Sequence, residues 1–417
     1  MSSELLILSD IAAPIRNAIV GGPFGSNLVS KDYVEHGVPV IRGQNMGDKW
    51  VSGEFVYVSE EKAQALSQNS ARPGDLVFTQ RGTLGQVSIV PRGRFDKYIV
   101  SQSQMKITVD PEKADVTFLY YLFKTPEQLQ YIFNSAIQTG VPHTNLGILK
   151  ATPVQLPPLL VQQQISAVMN CLDDRIALLR ETNATLEAIA QALFKSWFID
   201  FDPVHAKQQG SAPEGMDEAT AALFPGSFEE SELGLVPKGW QPQRLESFIE
   251  LAYGKALKST DRIPGNVPVY GSGGITGYHN ESLTNGPSVI VGRKGTVGSL
   301  YWEDLPFFPI DTVFYVRSAA PMTYCFYLLR TLGLADMNTD AAVPGLNRNN
   351  VYRLPVALPM GDVLKAFDGV TKVIRESIFR NQQQAQTLAT LRDTLLPRLI
   401  SGQLRLPEAG AMAAEAA

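Results

Sequence analysis

The sequence contains an internal repeat, and this duplication constrains the fold more than any other feature. Residues 141–157 align without gaps with residues 343–359, at a constant offset of 202 positions. Earlier in each half, Arg81–Gly85 matches Lys294–Gly298, and both have a basic residue followed by Gly-Thr-x-Gly. A chain of 417 residues is long enough for two or more globular units. The repeat therefore predicts two similar globular regions within one chain.

Each repeat has the pattern of an α/β globule followed by a helix. Short apolar runs such as 75–79 and 288–292 are separated by Gly, Pro and Asn, which is typical of strands and turns. A segment with helical spacing and similar aromatic content recurs at 120–125 and 326–331. We therefore expect strands and short helices in each globule.

The strongest periodic signal lies in the helices that follow the globules. In the first, seam residues recur at alternating steps of four and three, the heptad spacing of a coiled coil. They are Ile165, Met169, Leu172, Ile176, Leu179, Asn183, Leu186, Ala190, Leu193 and Trp197. The second helix repeats the register with Phe367, Thr371, Ile374, Ile378, Asn381, Ala385, Leu388, Arg392, Leu395 and Leu399. Each seam contains one asparagine, a residue that fixes register and partner.

A coiled-coil arm and a simpler packing are both compatible with this spacing. A helix from 161 to 197 would extend roughly 55 Å at about 1.5 Å per residue, which exceeds what packing on one small globule needs. The alternative is that each helix packs only on its own globule. Pro397 stands where the first repeat has Lys195, so we expect the second helix to kink or to end early there.

The charge distribution is uneven along the chain. The formal net charge is −5, but residues 200–235 carry eight acidic side chains against Lys207 alone, so the remainder is slightly basic. The segment 79–106 has a local charge of +4, which would attract a phosphate backbone. A solvated surface is the more common explanation of such a run. The acidic segment is expected to be a solvated tether, with a DNA mimic or a partner contact as alternatives.

Two similar globules on two similar helices could address two separated sites on one DNA duplex. Arg and Lys suit guanine, Asn and Gln suit adenine, and Ser or Thr suit phosphate, and loops of both halves carry these types. The candidate DNA-binding residues are Arg42, Gln44, Asn45, Gln80, Arg81, Thr83, Gln102, Lys106, Arg293, Lys294, Thr296, Asn347 and Arg348. The repeated Gly-Thr-x-Gly has an alternative interpretation as a tight turn between strands.

An enzyme active site is not predicted in this chain. No Asn-Pro-Pro-aromatic motif, Gly-x-Gly-x-x-Gly after a strand or Gly-Lys-Ser/Thr loop is present, so a nuclease or methyltransferase is disfavoured. Cys171 and Cys325 lie among apolar neighbours and are expected to be buried, and the four histidines lack metal-ligand spacing. No catalytic residue, metal or bound cofactor is predicted. The absence of a membrane span or secretory signal favours a soluble, cytoplasmic protein.

Several segments closely resemble the specificity subunits of type I restriction-modification enzymes, the HsdS family. They are 156–165, 193–203, 212–216, 228–234, 237–240 and 395–402. The resemblance covers essentially the whole chain, and the run from Leu193 to Trp240 is its most specific part. It implies an α+β protein with two α/β target-recognition domains in a pseudo-two-fold repeat, joined by two long helices in an antiparallel coiled coil.

The resemblance also implies an arrangement of segments along the chain. The predicted segments are a first target-recognition domain at 1–157, a first spacer helix at 158–199, an acidic linker at 200–238, a second target-recognition domain at 239–359, a second spacer helix at 360–402 and a flexible tail at 403–417.

The function implied is recognition of a bipartite, asymmetric site in double-stranded DNA with a fixed unspecified gap. Two modification (methyltransferase) subunits would dock on the helices and recognition domains, and restriction/translocase subunits would join them. S-adenosylmethionine, ATP and Mg²⁺ are expected on those partners. A coiled-coil assembly scaffold without a DNA role is the alternative.

Overall fold

A computed structural model describes residues 4–138, 140–338 and 345–416. Residues 343 and 344, the start of the second copy of the repeat, lie outside this range. The chain divides into two compact units. Unit 1 comprises 1–178 and 384–417, and unit 2 comprises 179–383. Each unit thus contains one globular region and about half of each long helix, a grouping that differs from the linear order of segments expected from the sequence.

Unit 1 is built on a four-stranded and a five-stranded sheet. Its strands are β1 (Glu4–Ile7), β2 (Ile19–Gly21), β3 (Tyr33–Val34), β4 (Val38–Ile41), β5 (Val56–Val58), β6 (Ser70–Ala71), β7 (Leu76–Thr79), β8 (Val87–Ile89), β9 (Tyr98–Val100), β10 (Gln104–Ile107) and β11 (Pro153–Leu156). The sheet orders are β2-β10-β7-β8 and β3-β5-β4-β9-β6, and β1 pairs with β11. The helices are α1 (Glu60–Ala65), α2 (Val116–Leu122), α3 (Pro126–Ser135), α4 (Leu146–Lys150) and the first half of α5 (Leu159–Phe198).

Unit 2 repeats this topology, but its second sheet has three strands where that of unit 1 has five. After α6 (Asp202–Gln208) and α7 (Glu218–Ala222) come β12 (Phe228–Ser231), β13 (Gly234–Pro237), β14 (Gln241–Arg244), β15 (Ile249–Tyr253), β16 (Val267–Gly271), β17 (Gly274–His279), β18 (Ser288–Gly292), β19 (Leu300–Glu303), β20 (Phe308–Pro309), β21 (Val313–Ser318), α8 (Met322–Thr331), α9 (Arg348–Tyr352), β22 (Pro355–Leu358) and α10 (Gly361–Ile400). The sheet β15-β21-β18-β19 corresponds to β2-β10-β7-β8, and the pair β14-β22 corresponds to β1-β11.

The smaller second sheet explains why the second repeat is shorter. In unit 1, β4 pairs antiparallel with β5 and parallel with β9. In unit 2, β16 pairs antiparallel with β17 and parallel with β20. The outer strands of the five-stranded sheet in unit 1 therefore surround a core of three strands that both units share.

Helix α5 runs unbroken from Leu159 to Phe198 and α10 from Gly361 to Ile400. The expectation that the second helix ends early at Pro397 is wrong, because the helix continues to Ile400. Pro397 lies within the last turn, so the backbone hydrogen bond that proline removes is one of the last in the helix. Gly402 then adopts a positive φ of 73°, as is usual just beyond a helix end.

Within each unit the two helix segments run antiparallel. In unit 2, Asn381 Nδ2 donates to Asn183 Oδ1 at 2.9 Å, and Asn183 Nδ2 donates to the carbonyl of Ile378 at 3.2 Å. The asparagines of the two seams therefore contact each other. The leucines and isoleucines that the heptads place in the seams are buried or half-buried: Ile165, Leu172, Ile176, Leu179, Leu186, Leu193, Ile374, Ile378, Leu388, Leu395 and Leu399.

A carboxylate on α5 holds each globule to the helices. In unit 1, Asp173 pairs with Arg392 of α10 at 2.7 Å and accepts a hydrogen bond from Tyr121 of α2. This carboxylate and burial together raise the pKa of the Tyr121 hydroxyl, with burial the larger cause. The phenol is therefore the donor.

In unit 2 the corresponding anchor is Glu187 of α5, although the repeat places Arg375 of α10 at the position of Asp173. Glu187 accepts hydrogen bonds from Arg375 of α10 and Arg330 of α8, both at 2.9 Å, and from Tyr327 Oη at 3.3 Å. Tyr327 is the counterpart of Tyr121 in the repeat, and burial raises its pKa to about 12. The same type of anchor thus recurs with different partners.

The acidic segment is not a tether over its whole length. It forms α6, α7 and the hairpin of β12 and β13, and Val204, Phe224 and Val236 are buried in the core of unit 2 beside Trp240. The apolar residues that alternate with its acids supply this packing, because burying them offsets the entropy of ordering the chain. The tether expectation is therefore wrong.

The expected flexible tail is also wrong. Residues 406–416 form α11, and Ala409 and Ala413, one helical turn apart, are buried. A run rich in alanine has high helix propensity, and one small-residue face suffices for close packing.

The two cysteines differ. Cys325 is buried on α8, whereas Cys171 on α5 is exposed, contrary to expectation. Its neighbours at positions 169 and 172 face the seam, and a helix turns position 171 away from them. Across residues 4–138, 140–338 and 345–416, no helix is both long and apolar enough to cross a membrane.

Candidate nucleic-acid interface

The repeated Gly-Thr-x-Gly motif is a turn at the same place in both units. In unit 1 it joins β7 to β8, and in unit 2 it joins β18 to β19. Gly82 and Gly85 have φ values of 95° and 83°, and Gly295 and Gly298 have 84° and 70°. These left-handed conformations favour glycine, so the turn interpretation accounts for the glycines themselves.

The strand end before each turn is held by an equivalent pair of backbone hydrogen bonds. Gln80 N and Arg81 N both donate to Ser103 O, at 2.6 and 3.3 Å. In unit 2, Arg293 N and Lys294 N both donate to Thr312 O, at 2.9 and 3.1 Å. The repeat alignment makes each group in one unit the counterpart of the corresponding group in the other.

A third segment completes each site and is also equivalent. Thr144 N donates to Gln80 O at 2.9 Å, and Leu346 N donates to Arg293 O at 2.8 Å. The bridge between Arg81 and His143 likewise corresponds to the bridge between Lys294 and Gly345. We call the site in unit 1 face 1 (residues 21–22, 80–85, 101–103 and 143–146) and the site in unit 2 face 2 (253–254, 293–298, 310–312 and 345–348).

Face 1 carries mainly neutral polar side chains. Arg81, Thr83 and Gln102 are exposed, and Gln80 is half-buried with its Oε1 3.6 Å from where a Cβ on Gly21 would lie. Gln102 Nε2 donates to the carbonyls of Gly25 and Leu28, the latter at 3.1 Å. The structure therefore brings together four of the sequence-predicted residues of unit 1.

Face 2 is cationic and built around an aromatic ring. The guanidinium groups of Arg293 and Arg348 lie 4.9 and 4.8 Å from the ring centroid of Tyr253, a cation–π arrangement that orients both. Arg293 Nη1 also donates to Asp311 O at 3.0 Å. Lys294 and Thr296 are exposed on the turn. Five sequence-predicted residues thus meet here, because Asn347 directly precedes Arg348.

Lys106 is placed away from any binding surface. Its side chain is 6% exposed and pairs at 3.1 Å with Asp75, which is 2% exposed. Strand β10 pairs with β7, which brings Lys106 opposite Val77 and beside Asp75. The expectation that Lys106 binds DNA is therefore contradicted, since a lysine in a buried ion pair cannot reach a phosphate.

Asn45 is likewise structural. It is buried, its Oδ1 accepts from Arg42 N at 3.1 Å, and its Nδ2 donates to the carbonyls of Ser52 and Glu54 at 3.0 and 2.8 Å. Its amide oxygen and amide nitrogen are both used by the backbone of unit 1, so the expectation that Asn45 reads a base is contradicted. Gln44 is exposed and donates to Glu54 O at 3.2 Å.

Arg42 and Asn347 occupy intermediate positions. Arg42 is half-buried next to face 1, since Ser101 N donates to Ile41 O at 2.9 Å. Asn347 is exposed and caps α9 by accepting from Asn349 N at 2.9 Å, so part of its hydrogen-bonding capacity is used locally.

Sequence reasoning missed Tyr253, Phe24 and Lys255. Tyr253 ends β15 at the position where unit 1 has Gly21, and the other two follow the equivalent glycines Gly22 and Gly254. The signal that could have found them is the strand-then-glycine pattern, Ile-Val-Gly-Gly and Leu-Ala-Tyr-Gly, which the repeat alignment did not include.

Within the described part of the chain, no group of three or more His, Cys, Asp or Glu side chains could hold a metal ion. The candidate interface consists of hydrogen-bonding and cationic groups on loops.

Comparison with known proteins agrees with this duplicated architecture. The family model described as type I restriction modification DNA specificity domain matches residues 29–188 and 237–385. Over 94% of the chain, the sequence is 24% identical to the type I restriction enzyme MjaIX specificity subunit of Methanocaldococcus jannaschii, 92% of which is covered. Over 91% of the chain, it is 25% identical to the HindI specificity subunit of Haemophilus influenzae, 97% of which is covered.

A solved structure shares the fold. The S subunit of a type I restriction-modification system from M. genitalium aligns over 95% of this chain and 96% of its own, with a TM-score of 0.55 and 18% identity. The family match covers well over half of the chain and includes both repeats, with the turn motifs of both faces inside it. The chain therefore belongs to the type I restriction-modification DNA specificity family.

Proposed function

We propose that this chain, as the specificity subunit of a type I restriction-modification system, recognises a bipartite, asymmetric DNA site, with face 1 reading one half-site and face 2 the other. The observation that carries the proposal is that the backbones of the two faces match while their side chains differ. Matching backbones would present each face to DNA in the same way, and different side chains would select different bases.

The chemistry of the two faces predicts different base preferences. Face 2 offers Arg293 and Arg348, whose planar guanidinium groups suit the two acceptors of guanine. Face 1 offers the amides of Gln80 and Gln102, which suit the acceptor and donor of adenine. The half-site read by unit 2 should therefore contain guanine at the position that Arg348 or Arg293 contacts.

The unspecified gap between the half-sites would be set by the helices. Both α5 and α10 are continuous through the residue at which one unit ends and the other begins. The hydrogen bond between Asn183 and Asn381 supports a single register of the helix pair, because any shift would leave both amides without these partners. A fixed register would give a fixed gap.

Docking of the modification subunits is proposed on the outer surface of the helices. In unit 2, Ile189, Val370 and Val373 are each about half exposed, although their helices bury other apolar residues in the seam. Apolar side chains exposed in this number on a helix pair fit a protein partner. Two such subunits, and restriction/translocase subunits joined to them, would complete the complex.

Catalysis is assigned to those partners. S-adenosylmethionine, ATP and Mg²⁺ would bind there, and this chain would contribute only DNA recognition and assembly. Methyl transfer by the purified chain without any partner would contradict this assignment.

The experiment that tests the recognition role is a methylation map of a host genome, with and without this gene, co-expressed with its modification subunit. A new bipartite, asymmetric motif with a constant gap is expected. An assembled complex that adds no motif, and that does not prefer any duplex by at least roughly 10³ over random DNA, would favour the assembly scaffold instead.

A further inference from the structure

Phe24 is the most exposed large apolar residue in the described part of the chain, at 92%. It lies in the sequence Gly22-Pro23-Phe24-Gly25, directly after β2. A solvated phenylalanine contributes nothing to a core, so the packing of unit 1 does not explain its presence.

The loop that carries Phe24 is held rigidly at both ends. Gly22 N donates to Gln104 O at 2.9 Å, and a Cβ on Gly22 would lie 1.9 Å from Ser101 O, so only glycine fits there. On the other side of Phe24, Gln102 Nε2 donates to the carbonyls of Gly25 and Leu28. Phe24 is thus fixed at the edge of face 1, on a loop tied to one of its residues.

The equivalent loop of unit 2 has a different chemistry. Gly254 N donates to Val313 O at 3.2 Å, and a Cβ on Gly254 would lie 2.1 Å from Ile310 O, which reproduces the close approach at Gly22. The residues that follow are Lys255, Ala256, Leu257 and Lys258, and Ala256 occupies the place of Phe24. Both lysines are exposed. One loop therefore presents an aromatic ring and the other presents two cations.

We propose that Phe24 is a wedge that stacks against a base step in or beside the half-site read by unit 1, while Lys255 and Lys258 contact phosphates beside the other half-site. The proposal rests on the proposed function. Phenylalanine and proline are among the side chains that insert between stacked bases, and a rigid loop with Pro23 beside Phe24 loses little entropy on insertion. Unstacking would occur at one half-site only, because unit 2 has no aromatic ring at this position.

The test uses the complex of this chain with its modification subunits and the duplex identified by methylation mapping. 2-Aminopurine, whose fluorescence rises when it unstacks, replaces one base at a time across both half-sites and their flanks. Wild type is expected to raise the fluorescence at a step in one half-site other than the methylated base. Phe24→Ala should abolish this rise and weaken binding by about 5- to 150-fold, the range for one aromatic–base stack. Phe24→Trp should retain both the fluorescence rise and the wild-type affinity.

Two matched variants control the experiment. Leu5→Ala removes another exposed apolar side chain, 73% exposed on β1, and should leave affinity and fluorescence unchanged. Lys255→Ala should lower the slope of log affinity against log salt by about one without changing the fluorescence pattern.

The outcomes separate the two proposals. If wild type shows no preference for any duplex, the recognition role and the wedge both fail. If wild type binds its site specifically but Phe24→Ala retains wild-type affinity and the same fluorescence pattern, the wedge alone is overturned. Loss of the fluorescence rise in Lys255→Ala would also overturn it, since it would place the distortion at the other loop.

Discussion

Face 1 and face 2 share the backbone hydrogen bonds that join their separate segments but have almost no side chains in common. Where face 1 has Gly21, Gln80 and Leu146, face 2 has Tyr253, Arg293 and Arg348 at the aligned positions. The glycines of the turns and of the close approaches after β2 and β15 recur because backbone geometry requires them. The residues that the shared backbone geometry requires are therefore the same in both faces, and the other residues of each face differ. We call the residues of the first group the frame.

The comparison also separates residues that belong to the frame from residues that belong to the binding surface. Lys106 and Lys294 are both basic residues near a turn, but only Lys294 is exposed. Position within the shared frame, rather than residue type, decides which of them could contact DNA.

The largest expected effect comes from Lys106→Met. Removing the lysine leaves Asp75 buried without its cation, so unfolding free energy should fall by about 3 to 5 kcal/mol in urea titrations of the full chain. The salt dependence of DNA binding by the assembled complex should not change.

Lys294→Met is the matched variant on face 2. Stability should change by less than about 0.5 kcal/mol, while the slope of log affinity against log salt should fall by about one. A reduced salt slope in Lys106→Met would mean that the buried pair opens on DNA binding and would break the distinction between frame and surface.

Glu187→Ala tests whether the anchors of the two units are equivalent. The change leaves Arg375, only 10% exposed, without its carboxylate, and we expect a loss of about 2 to 3 kcal/mol in urea unfolding because Glu187 is itself partly exposed. Asp173→Ala should have a comparable effect. Asp362→Ala, in the solvent-exposed pair with Lys365, is the control and should cost less than about 1 kcal/mol.

Arg348→Ala sharpens the assignment of half-sites. Discrimination at one base pair of one half-site should fall by about 1 to 3 kcal/mol, which methylation mapping would show as a motif relaxed at that position. Gln80→Ala should relax the other half-site. Arg317→Ala removes an arginine of unit 2 that pairs with Glu250 and should leave the motif intact. Relaxation of the same half-site by Arg348→Ala and Gln80→Ala would contradict the proposal that each face reads a different half-site.

The smallest effect concerns the cysteines. Burial raises the pKa of the Cys325 thiol to about 12, so its reactive thiolate is scarce at pH 8, whereas Cys171 is exposed. Titration of the native chain with a thiol reagent at pH 8 should therefore modify one cysteine rapidly and the second only after denaturation. Rapid reaction of both would show that α8 is accessible in solution.

Much of the architecture could be predicted from the sequence because the relevant signals are local. The helix predicted from 161 to 197 begins within two residues of the observed start at Leu159 and ends within one residue of Phe198. The same spacing selects Asn183 and Asn381, which prove to contact each other. The Gly-Thr-x-Gly turns are set by φ values that few other residues adopt.

The failures have a common physical origin in contacts between residues distant in sequence. The average composition of residues 200–238 led us to predict a tether. The few large apolar side chains among the acids are nevertheless enough to pack against Trp240. The alanine-rich end of the chain forms a helix because one narrow face finds a surface to pack on.

The sequence by itself determined the duplication, the helices and the types of side chain available for DNA, because repetition and periodicity can be read from the order of residues without knowing which of them are in contact. Only the tertiary structure decided which of those side chains are exposed together. The pairing of β7 with β10 buries Lys106, and the approach of three separate segments assembles Tyr253, Arg293 and Arg348. Such contacts depend on strand register across many residues, which no local pattern specifies.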